Sequence, residues 1–127
     1  MLGKIVLWVT SLGFFAYGIA CLIDPALPSG YIGYHLSGAD AYIEVSGMYG
    51  GLQAGFGLWF LLGALNSQYY RACLISIVFT IGALALGRVF GLSQVMGEPG
   101  GYSYGAIVYE STTTLLALIA LRSKTAQ

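Results

Sequence analysis

Charge is what this sequence lacks. Of 127 residues only 8% are Asp, Glu, Lys or Arg while 57% are hydrophobic, whereas an ordinary soluble domain is roughly 25% charged. That deficit excludes a soluble globular domain. Five basic side chains cancel five acidic ones, so there is no basic surface for a nucleic-acid backbone and no acidic block of the kind that forms a disordered tail. Histidine and cysteine are scarce as well. One His and two Cys provide no zinc-ligand spacing, and the intervals from His35 to Asp40 and Glu44 match no metal pattern. No metal is therefore expected, and no cofactor is assigned. Cys21 and Cys73 are expected near opposite faces of a membrane, beyond the roughly 7 Å between Cα atoms that a disulfide can bridge. Gly55-Phe56-Gly57 follows no strand, so it is no nucleotide fingerprint. No Ser/His or Cys/His nucleophile arrangement is present either.

What the chain has is long apolar runs. Four of them meet the length of about 20 residues that a spanning helix needs: Leu2 to Ile23, Tyr42 to Leu65, Tyr69 to Leu92 and Ser103 to Leu121. The expected fold is all-α, a single transmembrane domain over residues 1–127 with four helices in a left-handed bundle. Four spans and their connections use up the chain, which leaves no length for an appended soluble domain. Asn66-Ser67-Gln68 reads as a tight turn, and Glu98-Pro99-Gly100-Gly101 as a type II turn with Gly100 at its third position.

Lys4, Arg71, Arg122 and Lys124 fall on one side if the chain crosses four times, and Asp24, Asp40 and Glu98 on the other. By the positive-inside rule both termini are then cytoplasmic, in a bacterial inner membrane if the source is Gram-negative. Tyr69 and Tyr70 fit the inner aromatic belt, and Tyr31, Tyr34, Tyr42, Tyr102 and Tyr104 the outer one. Lys4 with an apolar run ending in Gly18-Ile19-Ala20-Cys21 also imitates a lipoprotein signal. Gly18 stands where Leu is usual, so the run reads as an uncleaved first helix.

Ionisable side chains inside a bilayer cost roughly 2.5 to 3.5 kcal/mol on insertion scales, which makes Glu44, Arg88 and Glu110 the most informative residues. At about 1.5 Å per residue they lie roughly 3, 6 and 10 Å inside the outer ends of their helices. Similar depth predicts that Arg88 bridges Glu44 and Glu110, with Tyr17, about 9 Å deep, as a fourth member. Two carboxylates against one guanidinium leave excess negative charge. Glu110, the deepest, is expected to carry the proton. Helical phase puts Glu44 with Gly47, Gly51 and Gly55, a small-residue face suited to close helix packing. It likewise puts Glu110 with Ser103, Ala106, Thr113, Thr114 and Ala117, and aligns Thr10, Phe14, Tyr17 and Cys21 on the first helix. Gly50 and Gly57 mark a further face, open to intramolecular packing or to a homo-oligomer. The long first loop, Asp24 to Ala41, is expected to cap the outer mouth with Tyr31, Tyr34 and His35 lining it.

The stretch Glu44-Val-Ser-Gly-Met-Tyr-Gly-Gly-Leu-Gln-Ala-Gly-Phe-Gly-Leu, then Tyr70-Arg71-Ala72, Gly87-Arg88-Val-Phe-Gly-Leu and Tyr109-Glu110, resembles a family of small bacterial four-helix membrane proteins known as a domain of unknown function. The second helix and the turn after it are also similar to the DoxX-like group. That second resemblance implies a four-helix bundle in a group some of whose members are subunits of quinone-linked oxidoreductases. It transfers no site residue to this chain.

Three functions remain in competition. One is an accessory subunit of a larger membrane complex, or a binder of a lipid-like or quinone-like ligand, using a polar pocket in the outer half of the membrane. A second is a proton-coupled small transporter, for which an intramembrane carboxylate is the requirement. The third is an intramembrane acid/base enzyme. The same charges also suit a network that only fixes helix register.

Overall fold

The computed structural model describes residues 1–123, and the described residues form helices and their connections with no strand. The helices are α1 (Leu2–Ile23), a short α2 (Ser29–Ile32), α3 (Ala39–Val45), α4 (Leu52–Leu65), α5 (Ser67–Leu92) and α6 (Gly101–Arg122), with a π-helical segment at Ser46–Gly51 joining α3 to α4. Four helical stretches are long and apolar enough to cross a membrane: Leu2–Ile23, Ala39–Leu65, Ser67–Leu92 and Gly101–Arg122. The chain is thus an integral membrane protein. Side chains such as Leu12, Phe79, Leu86, Val108 and Leu115 are exposed along these helices, where the solvent they suit is lipid.

The boundaries move outward from the sequence expectation at four places. α6 runs Gly101–Arg122, not Ser103 to Leu121, α3 begins at Ala39, three residues before Tyr42, and α5 begins at Ser67 because Asn66 alone makes the break. Asn66 adopts an extended backbone and its Oδ1 accepts from the Gln68 N–H at 2.9 Å, an N-cap that stops one helix and starts the next. The expected type II turn does not form. Gly100 has φ −71° and caps α6 in extended conformation, while the positive φ of this loop belongs to Gly97, at 137°.

Two compact units divide the chain, Trp8–Leu62 and Met1–Leu7 with the residues from Gly63 on. In the first, α1 meets the helix running from Ala39 at glycine. A Cβ on Gly18 would collide with the backbone of Ala54 and Gly50, one on Gly50 would lie 2.7 Å from Leu22 Cδ2, and one on Gly57 would lie 2.5 Å from the backbone N of Phe15. Only glycine permits that approach. Phe14 and Phe56 pack on Phe60, edge-on at 6.0 Å and stacked at 5.8 Å.

Gly47, Gly51 and Gly55, expected as the packing face, do not make this contact. A Cβ on Gly47 or Gly55 would meet nothing within 4 Å, and one on Gly51 only Ser46 O at 3.8 Å. They line instead an open groove of about 570 Å³ with Leu52, Phe56 and Trp59. Phase upstream already turns this face outward, since Val45 is buried and Glu44 beside it exposed, and the later residues that join Val45 are set by the π segment. Its wider turn takes in roughly one extra residue, and so rotates everything after it by about 100° relative to a continuous α-helix. The buried positions record the step: Val45 is followed by Gly50, five residues on, and then by Ala54, Gly57, Phe60 and Ala64 at ordinary α spacing.

In the second unit α5 packs along α6. Cys73, Leu74, Ile77, Ile81, Gly82 and Ala85 are buried on α5, and Glu110, Thr113, Ala117 and Ala120 on α6. The Arg71 Nη1 donates to the Leu121 carbonyl at 3.4 Å, satisfying an end group of α6. A Cβ on Gly3 would touch the Tyr70 hydroxyl and Ala120. Lys4, Arg71 and Arg122 therefore gather at one end of this unit. Lys124, the fourth basic residue of the sequence argument, lies outside the described residues.

Candidate functional site

The second unit holds the one intramembrane ion pair among the described residues. Arg88 sits a turn from the C-terminal end of α5 and Glu110 midway along α6, about 25 Å along α5 from Arg71. The Arg88 Nε–H is shared between both carboxylate oxygens of Glu110, at 3.0 Å each. The Glu110 side chain is only 7% exposed and that of Arg88 32%, so the carboxylate is the buried partner and the guanidinium the more exposed one. Thr114 donates its hydroxyl to the Glu110 carbonyl at 2.8 Å, and its methyl lies 3.2 Å from the place a Cβ on Gly82 would occupy.

Tyr102 completes the group. Its ring centroid lies 5.7 Å from Arg88 Cζ, within cation–π range. Sequence reading placed Tyr102 in an aromatic belt and missed this contact. The signal that could have found it is proximity in depth, since Tyr102 opens the helix that carries Glu110 and Arg88 nears the end of the helix before it. One guanidinium against one carboxylate balances in charge, so the pair by itself calls for no protonated acid.

The remaining expected residues belong to the other unit. Tyr17 and Tyr31 join through their hydroxyls, which ties α2 in the first loop to α1. The Asp24 Oδ1 accepts from the Ala26 N–H at 3.0 Å and turns the chain away from α1. The Tyr34 hydroxyl is buried without a hydrogen-bond partner among the described residues. Burial first, then the neighbouring Tyr49 and Cys21, push its titration above the ordinary phenol range. His35 and Glu44 are exposed. Glu44 forms no ion pair among the described residues. Cys21 and Cys73 are both free and buried, and no group of three His, Cys, Asp or Glu among the described residues could hold a metal ion.

Residues 2–121 match a domain of unknown function, DUF4345. The chain belongs to that family. The match takes in all four apolar helices together with Arg88, Tyr102 and Glu110, so the ion pair lies inside the family's domain. No curated protein and no solved structure matches the chain.

Proposed function

We propose that this DUF4345 protein is a small inner-membrane binding protein. It takes a lipid-like or quinone-like ligand at the Arg88–Glu110 site, as a stand-alone binder or as an accessory subunit of a larger complex. The observation that carries the reading is the exposure gradient across the ion pair: a buried Glu110 anchors Arg88, and the guanidinium stays one-third exposed at the end of the helix. A pair that served packing alone needs no donor edge left open, whereas the part-exposed guanidinium keeps N–H donors for an outside acceptor. Both termini are cytoplasmic in this reading, since Lys4, Arg71 and Arg122 gather at one end. That places the pair in the outer half of a bacterial inner membrane. Glu44 and Tyr17 are further candidates on grounds of depth.

Native mass spectrometry of the protein extracted gently from its membrane tests the proposal. The wild type is expected to carry a bound small molecule or a partner at fixed stoichiometry that Arg88→Ala loses while remaining inserted. Equal occupancy in both would overturn it. Retention by Glu44→Gln or Tyr17→Phe would remove that residue from the site without touching the pair.

A further inference from the structure

Guanidinium has five N–H donors in a planar fork, and the usual arginine–carboxylate pair spends two of them side by side. Arg88 departs from this. Glu110 takes only Nε–H, which both of its oxygens share, and Tyr102 lies against the group with its ring. No carboxylate and no carbonyl among the described residues accepts from Nη1 or Nη2. The terminal edge of the fork is therefore fixed in direction from behind, by Glu110, and largely unspent in front.

The surroundings leave that edge accessible. Gly87 precedes Arg88, Gly91 lies about one turn further out on the same helix, and Gly105 lies about one turn beyond Tyr102 on α6. A Cβ on any of the three would meet nothing within 4 Å. Arg88 itself is roughly 6 Å from the end of α5, within reach of a headgroup phosphate where the bilayer thins around a charged side chain. The acceptors met at that level are the phosphate oxygens of phospholipids. A fork held by a carboxylate through Nε alone is suited to receive two oxygens of such a group in parallel.

We infer that Arg88 is a phosphate-headgroup site, with Nη1 and Nη2 donating to a phospholipid phosphodiester while Glu110 orients the guanidinium and Tyr102 flanks it. Arg88 is the binding residue and Glu110 a positioning residue. The inference rests on the reading of this pair as a ligand site and names the class of ligand.

The test compares retention, in native mass spectra of the detergent-solubilised full chain, of phosphatidylglycerol and of diacylglycerol with the same acyl chains. The wild type is expected to retain phosphatidylglycerol roughly tenfold better, and Arg88→Gln to bring the two to parity. Because Arg88→Gln leaves Glu110 buried and unpaired, the double variant Arg88→Leu with Glu110→Leu repeats the comparison with no orphaned charge. It too is expected to lose the preference. Arg88→Lys, which keeps the charge and removes the fork, should lose most of it. Equal retention of the two lipids by the wild type, or an undiminished preference in the double variant, would overturn the inference. Displacement of phosphatidylglycerol by millimolar inorganic phosphate would overturn its lipid part and assign the oxyanion to solution. If the wild type instead holds a neutral molecule that Arg88→Ala releases, the binding site stands and the phosphate assignment fails.

Discussion

At Arg88 and Glu110 the two partners are desolvated to different extents, and the difference sets what each substitution does. Removing Arg88 leaves a carboxylate that is 7% exposed without its countercharge, and breaking a buried pair from one side is costly. Arg88→Ala is expected to destabilise the protein by about 2–3 kcal/mol, the low end for such pairs because the arginine is itself part-exposed. Replacing both residues with Leu should leave the melting temperature in detergent near that of the wild type. A double variant as unstable as the single one would mean that the pair contributes through contacts other than its charge. Half of the expected bridge, Arg88 with Glu110, was legible from depth counted along the chain, but the same count also brought in Glu44, which forms no ion pair among the described residues. The roles of Tyr102 and of the Nη edge were not legible. They depend on how two helices are rotated about their axes and on which nitrogen faces the carboxylate, and a count of residues carries neither.

For the elements, the lesson lies in the second span. Its existence and approximate ends were readable from hydropathy and from the Asn66 cap, but its face was not, because phase reasoning assumes one helical period throughout. The run Ser46–Gly51, with three glycines and a serine, is where that assumption fails. From it onward Gly50 and Gly57 continue the buried face that Val45 begins, where one unbroken period would present Leu52 and Phe56, and Gly47, Gly51 and Gly55 stay on the open side. The two sets should respond oppositely to a methyl group. Gly57→Ala forces Phe15 to move and is expected to cost about 1–3 kcal/mol, whereas Gly55→Ala enters open space and should stay within about 0.5 kcal/mol of the wild type. Thermal unfolding of both variants in one detergent makes the comparison. An equal loss at Gly55 would show that the groove is covered in the membrane by another chain. On α6 the phase argument held, since Glu110, Thr113 and Ala117 are buried together on a helix with no such interruption.

For the whole molecule, orientation rests on few charges. The basic residues at the described end, Lys4, Arg71 and Arg122, stand against Asp24, Asp40 and Glu98 in the two longer connections, so a label should separate the two sides. With both native cysteines buried, Met96→Cys is expected to react with a membrane-impermeant thiol reagent in intact cells. Ser123→Cys should react only after the membrane is opened. The reverse pattern would invert the topology and put the Arg88 site in the cytoplasmic leaflet. An extra residue already sits inside the span at Ser46–Gly51, absorbed by widening a single turn, so this is where a related chain can lose or gain one residue in mid-membrane. Such a gap would turn Glu44 about a third of the way round the helix while leaving the Gly18, Ala54 and Gly57 contacts in place. Differences in length here, and not only in the loops, would be the means by which members re-aim one end of the span without repacking the other.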